Sequence, residues 1–170
     1  NWDQSQFSSL KEAIKYFVDY AGMDETGETQ IGPMAGGLIF FAASNEGYYQ
    51  GDVKKYPAAD ANVVAVASIA ADYRPAYYTN YGTWVDVSAP GGDPFFSDLD
   101  NPYVGMGYGS PTAEVLSTVV NGYGHMSGTS MACPHASGVA ALGLSYANQL
   151  GIAMTAETLK KYIYETARNI

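Results

Sequence analysis

The stretch Gly37-Leu38-Ile39-Phe40-Phe41-Ala42-Ala43 is apolar throughout and stops at Ser44-Asn45-Glu46-Gly47. A strand with one wet face alternates apolar and polar side chains, whereas a strand covered on both faces does not. The run therefore predicts a strand over 37–43 buried on both faces, with a turn leaving its carboxyl end. Two further segments read the same way. Residues 62–69, with Val63, Val64 and Val66, predict a second buried strand, and residues 84–88 a third, broken by Ala89-Pro90-Gly91-Gly92.

Helical patterns flank these strands. Phe7, Leu10, Ile14, Phe17, Val18 and Ala21 recur at helical spacing, with Ser9 and Glu12 placed for a capping box and Gly22 for the helix end. Residues 131–149 carry Ala132, Ala136, Gly138, Ala140, Ala141, Gly143 and Ala147, which predicts a helix pressed against neighbours on several sides. Pro134 fits that helix only in its first turn, where no N–H is needed. A last helix is expected from about Thr155, with Leu159, Ile163 and Ala167 on one face. Leu116 to Val120, Asn121-Gly122 and Tyr123 onward predict a hairpin with a type I′ turn. Apolar strands followed by helices define an α/β fold, a mostly parallel sheet with flanking helices, in a single domain. Ligands in such sheets bind at the carboxyl ends of the strands, which directs attention to residues 44–47.

Composition narrows the function. The chain has 170 residues, 47% of them hydrophobic and 15% charged, a globular balance that can bury a core. A net charge of −9 without any cluster of Lys and Arg argues against nucleic acid or an anionic membrane as partner. The run over 37–43 is far shorter than the ~20 apolar residues a membrane-spanning helix requires. The single cysteine, Cys133, lacks the spacing of a zinc site and reads as a small packed residue.

Two residue types then point to chemistry. Ser130 stands in Gly128-Thr129-Ser130-Met131-Ala132-Cys133-Pro134-His135, at the start of the predicted small-residue helix. A serine hydroxyl becomes a nucleophile only with a base in hydrogen-bond reach, and a helix N-terminus favours the negative charge that its attack creates. Asn45, just past the first strand, can aim a side-chain amide at a reaction centre. Taken singly, Ser130 reads as an N-cap and Asn45 as a turn residue.

Together with their surroundings they resemble something specific. Met126 through Leu142 is similar to the nucleophile region of the subtilisin-like serine peptidases, the subtilases. Leu38 to Gly47 resembles that family's strand and oxyanion loop, Tyr56-Pro57-Ala58 through Ala67 the stretch that follows, and Val85-Asp86-Val87-Ser88-Ala89-Pro90-Gly91 the next landmark. The resemblances appear in the family's order. They imply a partial subtilisin-like three-layer domain, with Ser130 as nucleophile, Asn45 as oxyanion donor, and Ala43, Ser44, Glu46 and Thr129 on the substrate side, the Thr129 hydroxyl either lent to the oxyanion region or serving structure alone. Glu46 lies where the family builds a wall of the pocket for the residue before the scissile bond, which implies a preference for basic side chains there.

The same resemblance exposes a gap. The family's base and acid lie in His-Gly-Thr and Asp-Ser/Thr-Gly type motifs, and neither occurs here; Asp24-Glu25-Thr26-Gly27 is a superficial echo. His135 sits in the helix and His125 in the hairpin, and neither is where the family keeps its base. Since subtilisin orders its triad Asp, His, Ser, both missing residues are expected upstream of Asn1, so that the chain is the C-terminal portion of a catalytic domain lacking its N-terminal strands and helices. Its expected partners are peptide or protein substrates and the N-terminal portion of the same domain, with self-association as the alternative fate of its uncovered surface. The location implied is extracellular or periplasmic.

Two departures accompany the match. Ser44 stands where a glycine usually precedes the asparagine. The stretch 92–111, with Asp93, Asp98 and Asp100, is longer than a minimal member has, but its carboxylates lack ligand spacing and read as a solvated loop. No cofactor is required, and structural calcium has no ligand motif to support it. A catalytically dead subtilase-like binding or scaffolding domain is the rival reading. An α/β esterase is disfavoured, because its elbow would end in Gly where this chain has Ala132.

Overall fold

A computed structural model describes residues 7–47, 52–94 and 113–169. In chain order the elements are helix α1 (Ser8–Tyr20), strands β1 (Phe40–Ala42), β2 (Val64–Ile69), β3 (Val87–Pro90), β4 (Val115–Val119) and β5 (Gly122–Met126), then helices α2 (Thr129–Gln149) and α3 (Ala156–Thr166). β1, β2 and β3 form a parallel sheet in that order, with Phe40 opposite Val64 and Val66 opposite Val87. β4 and β5 form an antiparallel hairpin.

Alternation along the strands sets the layers, because successive side chains point to opposite faces. Phe40, Val64, Val66, Val87 and Ala89 pack against Ala132 of α2, while Ile39, Phe41 and Val63 pack against Ile14 and Val18 of α1. The sheet is thus covered by α2 on one face and α1 on the other, the α/β arrangement expected. α3 joins the α2 side through Ala140, Ala147, Met154 and Leu159. All six residues of β2 are buried, as a central strand requires.

Several expectations are corrected. β1 is three residues long and half-buried, since it is the outer strand of the sheet among the described residues. β3 lies at 87–90 instead of 84–88, because Val87 is the residue that falls into register with Val66. Phe7 caps α1 without a side-chain hydrogen bond, and Ser9 lies inside the helix, so the Ser9–Glu12 box does not form. The hairpin turns on Val120 and Asn121, the latter at φ +66°, instead of on a type I′ Asn121-Gly122 pair. α2 is buried along one face, through Thr129, Ala132, Ala140 and Ala147, while Val139, Leu142 and Tyr146 are exposed; it is not covered on several sides among the described residues.

Two other expectations hold, at the end of α1 and the start of α3. Gly22, at φ +75°, follows Ala21, the C-cap of α1. Thr155 caps α3, its Oγ1 accepting the Thr158 N–H at 3.1 Å. Among the described residues no helix is long and apolar enough to cross a membrane.

Candidate active site

Three loops converge at the carboxyl end of the sheet. Residues 43–47 leave β1, Gly91-Gly92 leaves β3, and residues 127–128 lead from β5 into α2. Gly128 is the N-cap of α2, at φ +156° and ψ +161°, a region of backbone space essentially closed to residues with a Cβ. Its N–H donates to the Gly91 carbonyl at 3.0 Å, which ties the second loop to the third.

Asn45 ties the first loop to the third. Its Oδ1 accepts the Thr129 N–H at 3.0 Å and the Thr129 hydroxyl at 2.9 Å. Thr129 is fully buried. With the amide oxygen held on that side, Nδ2 is turned to the other, and a Cβ built on Gly128 would lie 3.7 Å from both Asn45 Nδ2 and the Ser130 backbone nitrogen. Two donors therefore flank one small space.

Ser130 is the second residue of α2 and is exposed. The first N–H groups of a helix have no intrahelical partner. Here Thr129 N–H goes to Asn45 and those of Met131 and Ala132 to the Gly128 carbonyl, while the Ser130 N–H and its hydroxyl make no hydrogen bond among the described residues. Ser130 opens onto a depression of about 290 Å³ bordered by Val115, Leu116, Ser117, Met131, Pro134 and His135.

Neither histidine is hydrogen-bonded to Ser130 among the described residues. The His135 ring borders the same depression, but its Nδ1 lies 2.8 Å from the Met131 carbonyl, and since a carbonyl only accepts, that nitrogen carries the proton. His125 is exposed on β5, opposite Leu116. Pro134 is the sixth residue of α2, beyond the first turn where it was expected. Its missing N–H leaves the Ser130 carbonyl without a helical donor, a deficit tolerated one turn from the helix end.

Ala43, Ser44 and Glu46 flank Asn45 in the loop after β1. Ala43 is fully buried, its N–H donating to the Val66 carbonyl at 2.9 Å. Ser44 adopts φ +79°, the left-handed conformation that the family's glycine reaches without strain. Glu46 is gripped by Asn80 and lies 3.8 Å from Lys55 Nζ. Burial works against its ionisation, but the Ser44 hydroxyl, the Asn80 amide and the Lys55 charge outweigh it and hold the carboxyl below its ordinary pKa. Cys133 packs against the α2 side of the sheet, and burial pushes its thiol pKa up, which disfavours the reactive thiolate.

Among the described residues no three His, Cys, Asp or Glu side chains converge as metal ligands. Asp93 is buried with Oδ2 accepting the Tyr77 N–H at 2.9 Å, while Asp98 and Asp100 lie outside the described residues.

Sequence reasoning did not single out Ser68, Tyr78 or Asn80, although all three are buried, Tyr78 and Asn80 being bonded to these loops and Ser68 to Tyr78. Tyr77-Tyr78-Thr79-Asn80 reads as ordinary loop, and only tertiary contact gives it meaning.

The structure thus presents an α/β sheet with an exposed serine at a helix mouth and an asparagine amide beside it, and sequence comparison gives it a family. The subtilase family model matches residues 2–170, and the chain belongs to that family. It is 36% identical over 131 residues to the extracellular basic protease of Dichelobacter nodosus, covering 77% of this chain and 19% of that protein. It is 40% identical over 113 residues to the subtilisin of Bacillus sp. (strain TA39), covering 62% of this chain and 24% of that one. Among solved structures, a protease of Pseudoalteromonas arctica superposes with a TM-score of 0.65 at 24% identity, over 94% of this chain and 52% of that chain, a likeness of fold. The chain thus spans about a fifth to a quarter of these two relatives and about half of the solved neighbour.

Proposed function

We propose that this chain is the C-terminal portion of the catalytic domain of a subtilisin-type serine endopeptidase. Ser130 Oγ attacks the peptide carbonyl, and the tetrahedral oxyanion is received by the Ser130 N–H and Asn45 Nδ2; collapse expels the amine and leaves an acyl-enzyme that water hydrolyses. The observation that carries this reading is the clasp of Asn45 Oδ1 by both donors of Thr129, which fixes the free amide hydrogens beside the helix mouth that presents Ser130. Thr129 serves the oxyanion site by orienting Asn45.

The base and its acid come from the N-terminal portion of the same domain, in the family order Asp, His, Ser. Among the described residues no base is hydrogen-bonded to Ser130 Oγ, and the isolated chain is inactive or very weak. The mechanism uses no cofactor. Substrates are peptides or proteins, and the ionised Glu46 favours a basic residue before the scissile bond, an attraction blunted by Lys55. Location is extracellular or periplasmic by analogy with relatives named as extracellular proteases, although one relative is named an intracellular protease.

The test compares this chain with the complete catalytic domain, each as wild type and as Ser130→Ala, for casein hydrolysis and for labelling by a fluorophosphonate. Activity in the complete domain only, abolished by Ser130→Ala, is expected. Cleavage by the isolated chain that Ser130→Ala abolishes would refute the divided triad, and a folded but inert complete domain would favour the scaffolding alternative. Cleavage of Lys and Arg peptides no faster than Glu peptides would remove the role given to Glu46.

A further inference from the structure

Asn45 lies on the loop after β1 and Ser130 at the start of α2, and a segment between β2 and β3 is bonded both to the first loop and to the Gly91-Gly92 turn that holds Gly128. Asn80, 1% exposed, grips the first loop. Its Oδ1 accepts the Glu46 N–H at 2.8 Å, its Nδ2 donates to Glu46 Oε2 at 3.2 Å, and its own N–H donates to the Ser44 carbonyl at 3.2 Å. Gly47 N–H adds a bond to the Tyr78 carbonyl at 3.1 Å, and a Cβ on Gly47 would lie 1.8 Å from the Thr79 carbonyl oxygen, so the two backbones are in contact.

The other side of the segment reaches the Gly91-Gly92 loop, to which the loop before Ser130 is bonded. The buried Tyr78 hydroxyl lies 3.0 Å from the Gly91 carbonyl and 2.5 Å from that of Gly92, and the Gly91 carbonyl also receives the Gly128 N–H. A phenol has one proton to give, so that proton is shared between the two carbonyls. The Ser68 hydroxyl, 2.8 Å away, is then the donor to the phenol oxygen. Burial raises the pKa of Tyr78, which keeps the proton in place. Thr79 Oγ1 accepts the Ser68 N–H at 2.8 Å and anchors the segment to β2.

We propose that Tyr78 and Asn80 are positioning residues that set the separation of Asn45 from Ser130, Asn80 by holding the 44–47 loop and Tyr78 by holding Gly91, to which Gly128 is bonded. The proposal rests on the reading of Ser130 and Asn45 as nucleophile and oxyanion donor. Neither residue touches the substrate. Both act on geometry, and an oxyanion donor counts only where the developing charge will be.

The experiment uses the complete catalytic domain with Tyr78→Phe, Asn80→Ser and Ser68→Ala, read by kcat, KM and backbone amide exchange. Tyr78→Phe removes only the hydroxyl and is expected to lower kcat about five- to tenfold with KM within about twofold. Ser68→Ala leaves the phenol's own bonds to both carbonyls and is expected to lower kcat by no more than about twofold. In Tyr78→Phe, exchange at the Gly128 amide should accelerate while the β2 amides keep their wild-type rates.

A purely structural cluster would instead speed exchange across β2 and leave kcat of the folded fraction unchanged, and that result overturns the proposal. Should Tyr78→Phe fail to fold, Asn80→Ser decides by the same kcat and KM readout, with exchange followed at Glu46 N–H. Retention of activity by Ser130→Ala would overturn the underlying reading itself, and is distinguishable because it needs neither variant.

Discussion

Replacing Thr129 with valine separates orientation of Asn45 from every other role of this position. Valine matches threonine in shape at a fully buried site, keeps the backbone N–H that reaches Asn45 Oδ1 at 3.0 Å, and deletes only the hydroxyl at 2.9 Å. One hydrogen bond is worth about 1 kcal/mol net, and the added methyl buries about 0.8 kcal/mol of apolar surface, so folding stability should hardly change. Catalysis should change more. The amide loses one of two tethers, and about 1 kcal/mol of lost transition-state alignment lowers kcat roughly fivefold with KM nearly constant. Complete removal of such a donor costs roughly 10²–10³ in subtilisin, a figure that belongs to that enzyme and serves as the ceiling.

The assay is burst kinetics with an activated ester in the complete catalytic domain, in wild-type and Asn45→Ala backgrounds. If Thr129 acts through Asn45, its replacement has no further effect once Asn45 is gone, because the two residues then form one unit. An undiminished fivefold loss in the Asn45→Ala background, or a rise in KM at constant kcat, would refute the reasoning.

Two other outcomes follow from the geometry. Gly128→Ala places a Cβ on a residue at φ +156° and in the space flanked by Asn45 Nδ2 and the Ser130 nitrogen; it should destabilise the fold by about 1–3 kcal/mol in urea titrations and suppress fluorophosphonate labelling in the complete domain. The exposed Asp24 carboxyl, held to about 2 from its ordinary 3.8 by the Thr26 hydroxyl and then by the N–H groups of Thr29 and Glu28, should confer its loop stabilisation fully above the unfolded value and lose it as pH falls through about 2. Amide protection of Glu28 and Thr29 should track that window, and Asp24→Asn should flatten the profile.

The parts of the fold that local pattern determines were legible. The Val-rich run around 63–69 gave the central strand because a doubly covered strand is apolar almost throughout, and Thr155 announced α3 because a hydroxyl before a helix has one obvious use. What depended on partners was not legible. Whether a strand is central or outer is decided by its neighbours, so the apolar run over 37–43 overstated β1. The start of β3 is fixed by Val87 meeting Val66, and no spacing within 84–90 encodes that. At the site, Ser130 and Asn45 could be picked out by their resemblance to a family pattern, whereas Tyr78 and Asn80 gain their roles only when distant loops close around them.

Ser44 carries a wider implication. A serine at φ +79° sits about 1–2 kcal/mol above the conformations its own sequence prefers. The aim of Asn45 is thus a sprung latch, cocked by the chain at residue 44 and kept shut by the catch at Asn80. Substitutions at these two positions are therefore expected to be coupled: glycine at 44 would take out the recoil, and with it the need for so firm a catch.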